Sequence, residues 1–182
     1  MSSTALVNLT RSSAAFLAPL HILFFSTLLG SELYVSFVML KVCYRSLPRT
    51  AFTTLLKRIF PTYFRGQVLL LLLTAATIPP HGPLTLIESK SNWIPFLVAG
   101  VPALLNIVVY GPRTRQIMID QIHQETREGG KSDDSTEPSD EMRALKKSFS
   151  RNHAMSIHLN LISIGAMVWW AWKLALQLGS QL

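Results

Sequence analysis

Two ionisable side chains stand alone in a long apolar stretch near the start of the chain. Between residues 14 and 39, only His21 and Glu32 can change charge near neutral pH. A carboxylate at the centre of a membrane helix costs about 2.5–3.5 kcal/mol on insertion scales, so Glu32 requires a partner or a function. Polar residues of later apolar stretches are predicted to join these two in an intramembrane cluster: Asn106, Asn152, His153, Ser156 and Asn160.

The spacing of these residues supports that grouping. At 100° per residue one face of the first apolar stretch carries His21, Phe25, Leu28, Glu32 and Met39, with Ser36 at its edge. Counted from the nearest cations, Glu32, Asn106 and Asn160 each lie about 10–14 Å into the membrane. Two interpretations follow. The cluster is a site for a proton, a cation or a polar head group, or it forms interhelical hydrogen bonds worth about 0.6–2 kcal/mol each.

Four apolar segments provide the elements that must position these side chains. Each approaches the roughly 20 residues with which a membrane helix crosses about 30 Å of hydrocarbon. The segments cover about residues 14–40, 63–78, 93–110 and 154–178, and the third continues through Pro95 and Pro102, which membrane helices tolerate. We therefore predict a single all-α domain, residues 1–182, built as an integral membrane four-helix bundle.

An additional amphipathic helix is predicted between the first two spans. From Thr50 to Phe64 apolar side chains recur at helical spacing, while Lys57 and Arg58 occupy the other face. This pattern is typical of an interfacial helix whose cations reach the membrane surface. We predict that Pro61 ends this helix and separates it from the second span.

Positive charge is concentrated in two loops. Of the 17 Lys and Arg residues, six lie in residues 41–65 and eight in residues 112–151. The positive-inside rule predicts that both loops face the cytosol and that both termini lie on the opposite side. The second loop contains a patch rich in Gly, Ser and acidic residues, 129–141, which we interpret as a flexible hinge. It separates helical extensions of spans three and four, and Ser139 is predicted to cap the latter.

Composition constrains location and partners. The chain is 49% hydrophobic and 15% charged, whereas soluble domains contain about 25% charged residues. The net charge of +7 comes from the two loops and not from a nucleic-acid groove. We expect the lipid bilayer as partner, no nucleic acid, and a homo-oligomer or a cytosolic protein at the loops.

The endoplasmic reticulum or endomembrane system is the expected location. A mitochondrial membrane is the alternative, because the Ser-bearing N-terminal lead carries Arg11 and no acid.

No motif of soluble enzymes is present. The sequence lacks H-E-x-x-H, G-x-S-x-G, a phosphate-binding Gly loop and a Cys pair. We therefore expect no catalytic residue and no cofactor. One alternative is a haem- or copper-binding redox protein that uses His21 and His153 as ligands. Their positions towards opposite membrane faces count against a shared site.

An ordered set of short motifs resembles a known family. The motifs are His21-Ile22-Leu23, residues 29–37, Leu47-Pro48-Arg49, residues 59–64, Pro112-Arg113-Thr114 with Met118, and residues 149–153. Over about residues 18–161 the chain resembles the transmembrane protein 205-like family, although Ala154 stands where that family is expected to have Gly. The resemblance implies a four-span integral membrane protein without an established activity, and it marks Pro112, Thr114 and Met118 as motif residues.

The leading hypothesis is a multi-pass membrane protein without enzymatic activity that supports transport or trafficking in endomembranes. Four spans leave little room for a pathway in a monomer, so transport favours an oligomer. Besides the redox alternative, the sequence permits a structural or adaptor protein that acts through its cytosolic loops.

Overall fold

The chain forms helices joined by short connections. A computed structural model describes residues 3–128 and 139–179, with side chains from residue 13 onward. Its elements are α1 (Ser3–Leu33), π1 (Tyr34–Met39), α2 (Leu40–Ser46), α3 (Arg49–Ala76), α4 (Pro83–Glu88), α5 (Lys90–Leu105), π2 (Asn106–Tyr110), α6 (Gly111–Arg127) and α7 (Asp140–Gly179). No strand occurs within the described ranges, which confirms the all-α prediction.

Four of the resulting helices are long and apolar enough to cross a membrane. They are Ser13–Ser46, Arg49–Ala76, Lys90–Arg127 and Asp140–Gly179. Three of the four predicted apolar segments lie entirely on these helices, and the second, 63–78, runs two residues past Ala76. The helices are longer than the segments because they continue into the loops. The predicted extensions of spans three and four are α6 and the first turns of α7. The third long helix passes through Pro95 and Pro102 as expected.

The helix predicted between spans one and two is not separate from span two. α3 runs without a break from Arg49 to Ala76, with Pro61 in its interior. Proline removes one hydrogen bond of the helix ladder. Helices of membrane-spanning composition tolerate this loss in their interior, because local adjustments satisfy the freed backbone groups. The prediction that Pro61 ends a helix is therefore wrong.

The four long helices pack side by side around an apolar core. α1 contacts α3, α3 contacts α5, α5 contacts α7, and α7 contacts α1, so each long helix has two long neighbours. Aromatic packing includes Phe96 and Trp170, whose ring centroids lie 4.9 Å apart. The buried core consists of Phe25, Leu28, Leu71, Ile78, Phe96, Ala99, Ala166, Met167 and Trp170. It fills the half of the molecule that is remote from the basic loops.

The two basic loops meet at one end of the structure. Arg49 Nη2, at the start of α3, lies 3.8 Å from Glu125 Oε1 on α6. At the same end Ser139 caps α7, because its Oγ accepts the Met142 N–H at 3.1 Å and so satisfies a terminal donor. The predicted cap is thus confirmed. Residues 129–138 of the predicted hinge lie outside the described residues.

The opposite end is closed by the connection between α3 and α5. Gly82 has φ +62°, and a Cβ there would lie 2.6 Å from the Ala76 carbonyl oxygen, so only glycine fits this turn without strain. Asn92 donates to the Thr85 carbonyl at 2.7 Å and accepts a hydrogen bond from Lys173 of α7. These bonds fasten the connection to the fourth long helix.

Candidate functional site

Glu32 is completely buried although it carries a carboxyl group. It is 0% exposed. Gln67 Nε2 on α3 donates to its Oε1 at 2.6 Å, and the Ser163 hydroxyl on α7 donates to the same oxygen at 3.1 Å. Among the residues that the structure describes, no cation forms an ion pair with Glu32, and its Oε2 has no hydrogen-bond partner. Neutral donors from two other helices therefore hold the carboxyl group.

Asn160 on α7 extends this network towards the basic end. Its Oδ1 accepts a hydrogen bond from the Tyr63 hydroxyl at 2.9 Å and lies 3.3 Å from Gln67 Nε2. Its Nδ2 donates to Ser36 Oγ of π1 at 2.9 Å. The Glu32 cluster is defined as Glu32, Ser36, Tyr63, Gln67, Asn160 and Ser163. Its hydrogen bonds connect three of the four long helices.

A cavity adjoins the Glu32 cluster on the side of the basic loops. Its volume is about 390 Å³, within the range of about 300–1,000 Å³ that is usual for small-molecule sites. Ser36, Tyr63 and Asn160 belong to the cluster and also line the cavity, while Leu56 and Phe60 contribute to its apolar wall. A molecule in the cavity would thus contact side chains that are bonded into the network around Glu32.

Both π-helical segments border the cavity. π1 contributes Ser36 and Phe37 to its wall, and π2 contributes Asn106. Gly111, directly after π2, donates its N–H to the Asn106 carbonyl, and a Cβ at this position would lie 2.5 Å from that oxygen. Glycine therefore allows π2 to close at Asn106. Such π turns inside α-helices occur frequently at functional sites.

The residues of the predicted intramembrane cluster do not all come together. Glu32 and Asn160 lie in the Glu32 cluster. Asn106, which is 0% exposed, donates through Nδ2 to the Ser156 carbonyl at 3.2 Å. Both of these residues line the cavity, so they adjoin the cluster without a direct bond to Glu32. His21 lies in a different environment.

His21 is buried in the apolar core. Its Nδ1 donates to the Thr74 carbonyl at 2.9 Å, and its Nε2 accepts the Trp170 indole N–H at 3.1 Å. The imidazole ring also stacks on Phe25, with a centroid distance of 6.3 Å. Because both ring nitrogens are engaged, no lone pair remains for a haem iron or copper ion. His21 in this arrangement does not fit the proposed ligand set.

His153 packs against aromatic rings, and Asn152 makes a local hydrogen bond within α7. The His153 ring lies near Phe60 and Phe149, with centroid distances of 6.4 and 5.3 Å, and it lines the cavity. Asn152 donates to the Ser148 carbonyl one turn earlier at 2.9 Å. Within the described part of the chain no three His, Cys, Asp or Glu side chains are grouped as a metal site would require. In the described residues, His21 and His153, the ligands of the redox alternative, are therefore not joined by further metal-binding side chains.

The three motif residues and one of the two surface cations also line the cavity. Pro112, Thr114 and Met118 all line it, and Thr114 and Met118 are buried. Lys57 lines it as well, whereas Arg58 is exposed. These two cations of α3 therefore have different surroundings, although the sequence pattern grouped them together.

Two important members of the Glu32 cluster were not among the predicted site residues. Gln67 is only 2% exposed and donates to the Glu32 carboxyl group, and Tyr63 donates to Asn160. The signal for Gln67 was present, because it is an isolated amide just before the apolar run 68–73. Tyr63 gave no comparable signal, since tyrosines are common at the ends of membrane spans.

The fold and the site define a class of protein: an all-helical chain with four candidate membrane-spanning helices and a buried polar cluster between them. Residues 23–123 match the family described as Domain of unknown function (DUF4149), and the chain belongs to that family. It is 38% identical over 159 residues to "Xanthocillin biosynthesis cluster protein D" of Aspergillus fumigatus, an alignment that covers 87% of this chain and 89% of that protein. No solved structure matches the chain.

Proposed function

We propose that this chain is a four-span integral membrane protein that supports transport across endomembranes, with Glu32 as a group that carries a proton. The observation that supports the proposal is a fully buried carboxyl group that has no cation partner in the described ranges of the chain. It lies behind a cavity that shares three residues with its hydrogen-bond network. Ionisable residues inside membrane spans are rare because they are costly, and they commonly mark proton relays or ion pathways.

The arrangement around Glu32 suits a proton better than a metal ion. A bound cation needs several oxygen or nitrogen ligands, whereas Glu32 Oε1 is already occupied by Gln67 and Ser163. The other oxygen, Oε2, has no partner within the described residues. A proton requires only one such oxygen. Tyr63 and Ser36 line the cavity and bond to Asn160 within the Glu32 cluster, and their hydroxyl groups can donate and accept hydrogen bonds.

The proposed orientation places the basic loops in the cytosol and both termini on the other side. The Arg49–Glu125 ion pair supports the grouping of the two loops at one end, and their excess of Lys and Arg supports the cytosolic assignment. In this orientation the first half of α3 lies near the membrane surface, with Lys57 and Arg58 at head-group level. The four long helices would form a bundle in the bilayer, and the basic end would be available to a second copy or a cytosolic protein.

Similarity to a biosynthesis cluster protein supports a role in which this chain serves small-molecule biosynthesis. By its name, the Aspergillus fumigatus relative belongs to a xanthocillin biosynthesis cluster. For this chain we infer transport of a biosynthetic compound or precursor, and endomembranes remain the proposed location. The finer resemblance to the transmembrane protein 205-like family stays a prediction beside the DUF4149 assignment.

Proton flux through reconstituted protein tests the proposal. Purified protein is placed in phosphatidylcholine vesicles that contain a pH-sensitive dye, and a pH jump is imposed with valinomycin present to balance charge. We expect the wild-type protein to dissipate the gradient several-fold faster than protein-free vesicles and Glu32→Gln to remove this excess. Glu88→Gln is the matched control, because it makes the same chemical change at an exposed residue at the end of α4.

Three outcomes would overturn the proposal. A wild-type rate equal to that of protein-free vesicles would show no proton movement. Equal rates for wild type and Glu32→Gln would remove Glu32 from the mechanism. A loss of flux in both Glu32→Gln and Glu88→Gln would also contradict the special role of the buried carboxyl group.

A further inference from the structure

We propose that the cavity beside the Glu32 cluster binds an anionic phospholipid with a hydroxyl-bearing head group, which enters from the surrounding leaflet. This inference deepens the proposed function and rests on its assumption that the four long helices span a bilayer. Three independent properties of the cavity carry it. They are an apolar side that opens to the outer surface, a lining whose charged residues are basic, and buried polar atoms that lack hydrogen-bond partners among the described residues.

The cavity opens on a surface that faces lipid when the helices span a membrane. Phe37 of π1 lines the cavity and is 56% exposed. Ile157 and Leu161 of α7 also line it and are 45% and 44% exposed. These apolar side chains lie at once on the cavity wall and on the outside of the helices. An acyl chain can therefore enter sideways from the hydrocarbon without crossing a polar barrier.

The charge of the cavity lining favours an anion. Lys57 and Arg65 of α3 and Arg115 of α6 line the cavity, and no described residue of the lining is acidic. Arginine and lysine are the usual ligands of phosphate, with arginine able to bind two oxygens at once. Because the three cations come from two different helices, they can surround a head group rather than attract it from one side.

The lining also contains buried polar atoms without partners. Asn106 is 0% exposed, and its Oδ1 has no hydrogen-bond partner among the described residues, although its Nδ2 donates to the Ser156 carbonyl. Thr114 is 9% exposed, and within the same part of the chain its hydroxyl also lacks a partner. An unpaired buried polar group lowers the stability of the folded protein. A ligand that gives Asn106 a donor and Thr114 an acceptor would remove this cost, and a head group with both hydroxyls and a phosphate provides both.

These properties together identify the chemistry of the ligand. The apolar opening requires a hydrophobic tail, the cations require a phosphate, and Asn106 Oδ1 requires a hydroxyl donor. Phosphatidylinositol meets all three requirements. Phosphatidylcholine has the tail and the phosphate, but it carries no net negative charge and no head-group hydroxyl.

A binding titration with the full-length protein in a mild neutral detergent tests the inference. Tail-labelled fluorescent phosphatidylinositol is titrated in mixed micelles, and labelled phosphatidylcholine is titrated in parallel. We expect phosphatidylinositol to bind at least tenfold more tightly. The water-soluble head group alone, glycerophosphoinositol, should compete at least a hundredfold more weakly because it lacks the acyl chains. Competition by the free head group as strong as that by the lipid would overturn the assignment of a membrane ligand.

Two triple variants separate the cavity from general attraction of a basic protein to acidic lipid. Replacing Lys57, Arg65 and Arg115 by Gln should weaken phosphatidylinositol binding at least tenfold and leave phosphatidylcholine binding unchanged. The matched control replaces Arg113, Lys147 and Arg151 by Gln. These three cations line a more open groove between α6 and α7, so the same net charge is removed from a neighbouring surface. We expect a change below threefold for the control.

A single substitution keeps the test valid if the triple variant fails to fold. Thr114→Val retains the shape of the side chain and removes the hydroxyl, and it should weaken phosphatidylinositol binding about three- to tenfold. Unchanged binding by Thr114→Val, equal weakening by both triple variants, or equal affinity for the two lipids would each overturn the inference. Proton flux of the wild-type protein in pure phosphatidylcholine vesicles is a separate readout. A wild-type flux no faster than that of protein-free vesicles would refute the proposed function and leave the result of the lipid titration unaffected.

Discussion

The hydrogen bond between Gln67 and Glu32 makes a quantitative prediction about the stability of the protein. A double-mutant cycle with Glu32→Leu, Gln67→Leu and the double variant isolates the coupling energy between the two side chains. Leucine is close in size to both residues, so the variants remove polar groups without leaving a large cavity.

The expected coupling follows from the geometry of this bond. Interhelical hydrogen bonds in membrane proteins average about 0.6 kcal/mol and reach about 1.7 kcal/mol. Gln67 Nε2 and Glu32 Oε1 are 2.6 Å apart, and the two residues are 2% and 0% exposed. A short bond between fully buried groups belongs in the upper part of this range. We therefore expect a coupling energy of about 1–1.7 kcal/mol.

Equilibrium unfolding in mixed micelles provides the measurement, with fluorescence of the four tryptophans as the signal. Glu32→Leu combined with Gln116→Leu is the control cycle, because Gln116 donates only to Asp120 on an exposed face of α6. The free energies of unfolding in the control cycle should add within about 0.3–0.5 kcal/mol. A Glu32–Gln67 coupling no larger than that of the control would refute the placement of Gln67 against Glu32.

Two further predictions concern positions outside the Glu32 cluster. Gly111→Ala should lower the free energy of unfolding by about 1–3 kcal/mol, because its Cβ would lie 2.5 Å from the Asn106 carbonyl oxygen. Gly165→Ala is the control, because a Cβ at this position meets nothing within 4 Å, and it should be neutral or stabilising by up to about 1 kcal/mol. Equal changes in the free energy of unfolding for the two variants would contradict the structure of π2. Ser139→Ala should cost about 0.5–2 kcal/mol through loss of the cap on α7. It should also raise the pKa of Glu128, because hydrogen bonds from Ser139 and Gln124 hold that pKa below its ordinary value of 4.5. Any stability that Glu128 contributes is present above pH 4.5 and is lost as the pH falls through the folded-state pKa. Carboxyl carbon chemical shifts in a pH titration would measure the change, and an unaltered Glu128 pKa in Ser139→Ala would refute the contact.

The sequence was sufficient to predict the long helices because a helix that is long and apolar enough to cross a membrane has a strong compositional signal. Backbone groups in hydrocarbon must bond within their own segment, so an apolar run of sufficient length predicts a helix almost regardless of its neighbours. The extensions into α6 and α7 were predicted on either side of the patch 129–141, and Ser139 was predicted to cap the second extension, as it does. The error at Pro61 arose because the rule used for soluble helices overstates how often proline ends a helix in a membrane protein.

Partners of the polar residues could not be predicted in the same way. Residue depth brought Glu32 and Asn160 to a similar level, and the structure connects them through Gln67. Depth contains no information about which helix faces which, so it also grouped Asn106 with them, although Asn106 bonds to the Ser156 carbonyl instead. Helix adjacency depends on packing between distant segments, and one sequence does not specify that packing through local patterns.

The two π segments explain where the helical periodicity stops predicting burial. His21, Phe25, Leu28 and Glu32 share one face at 100° per residue, and all four are buried. Met39, predicted on the same face, is only partly buried, because π1 intervenes between Glu32 and Met39. A π turn adds one residue and shifts the following side chains around the helix axis by about 100°. Ser36, which regular spacing already places at the edge of this face, lies within π1 and accepts a hydrogen bond from Asn160 at 2.9 Å. No residue type in π1 marks such a turn in advance. The cavity therefore forms at the places where the regular helix, and with it the prediction from spacing, is interrupted.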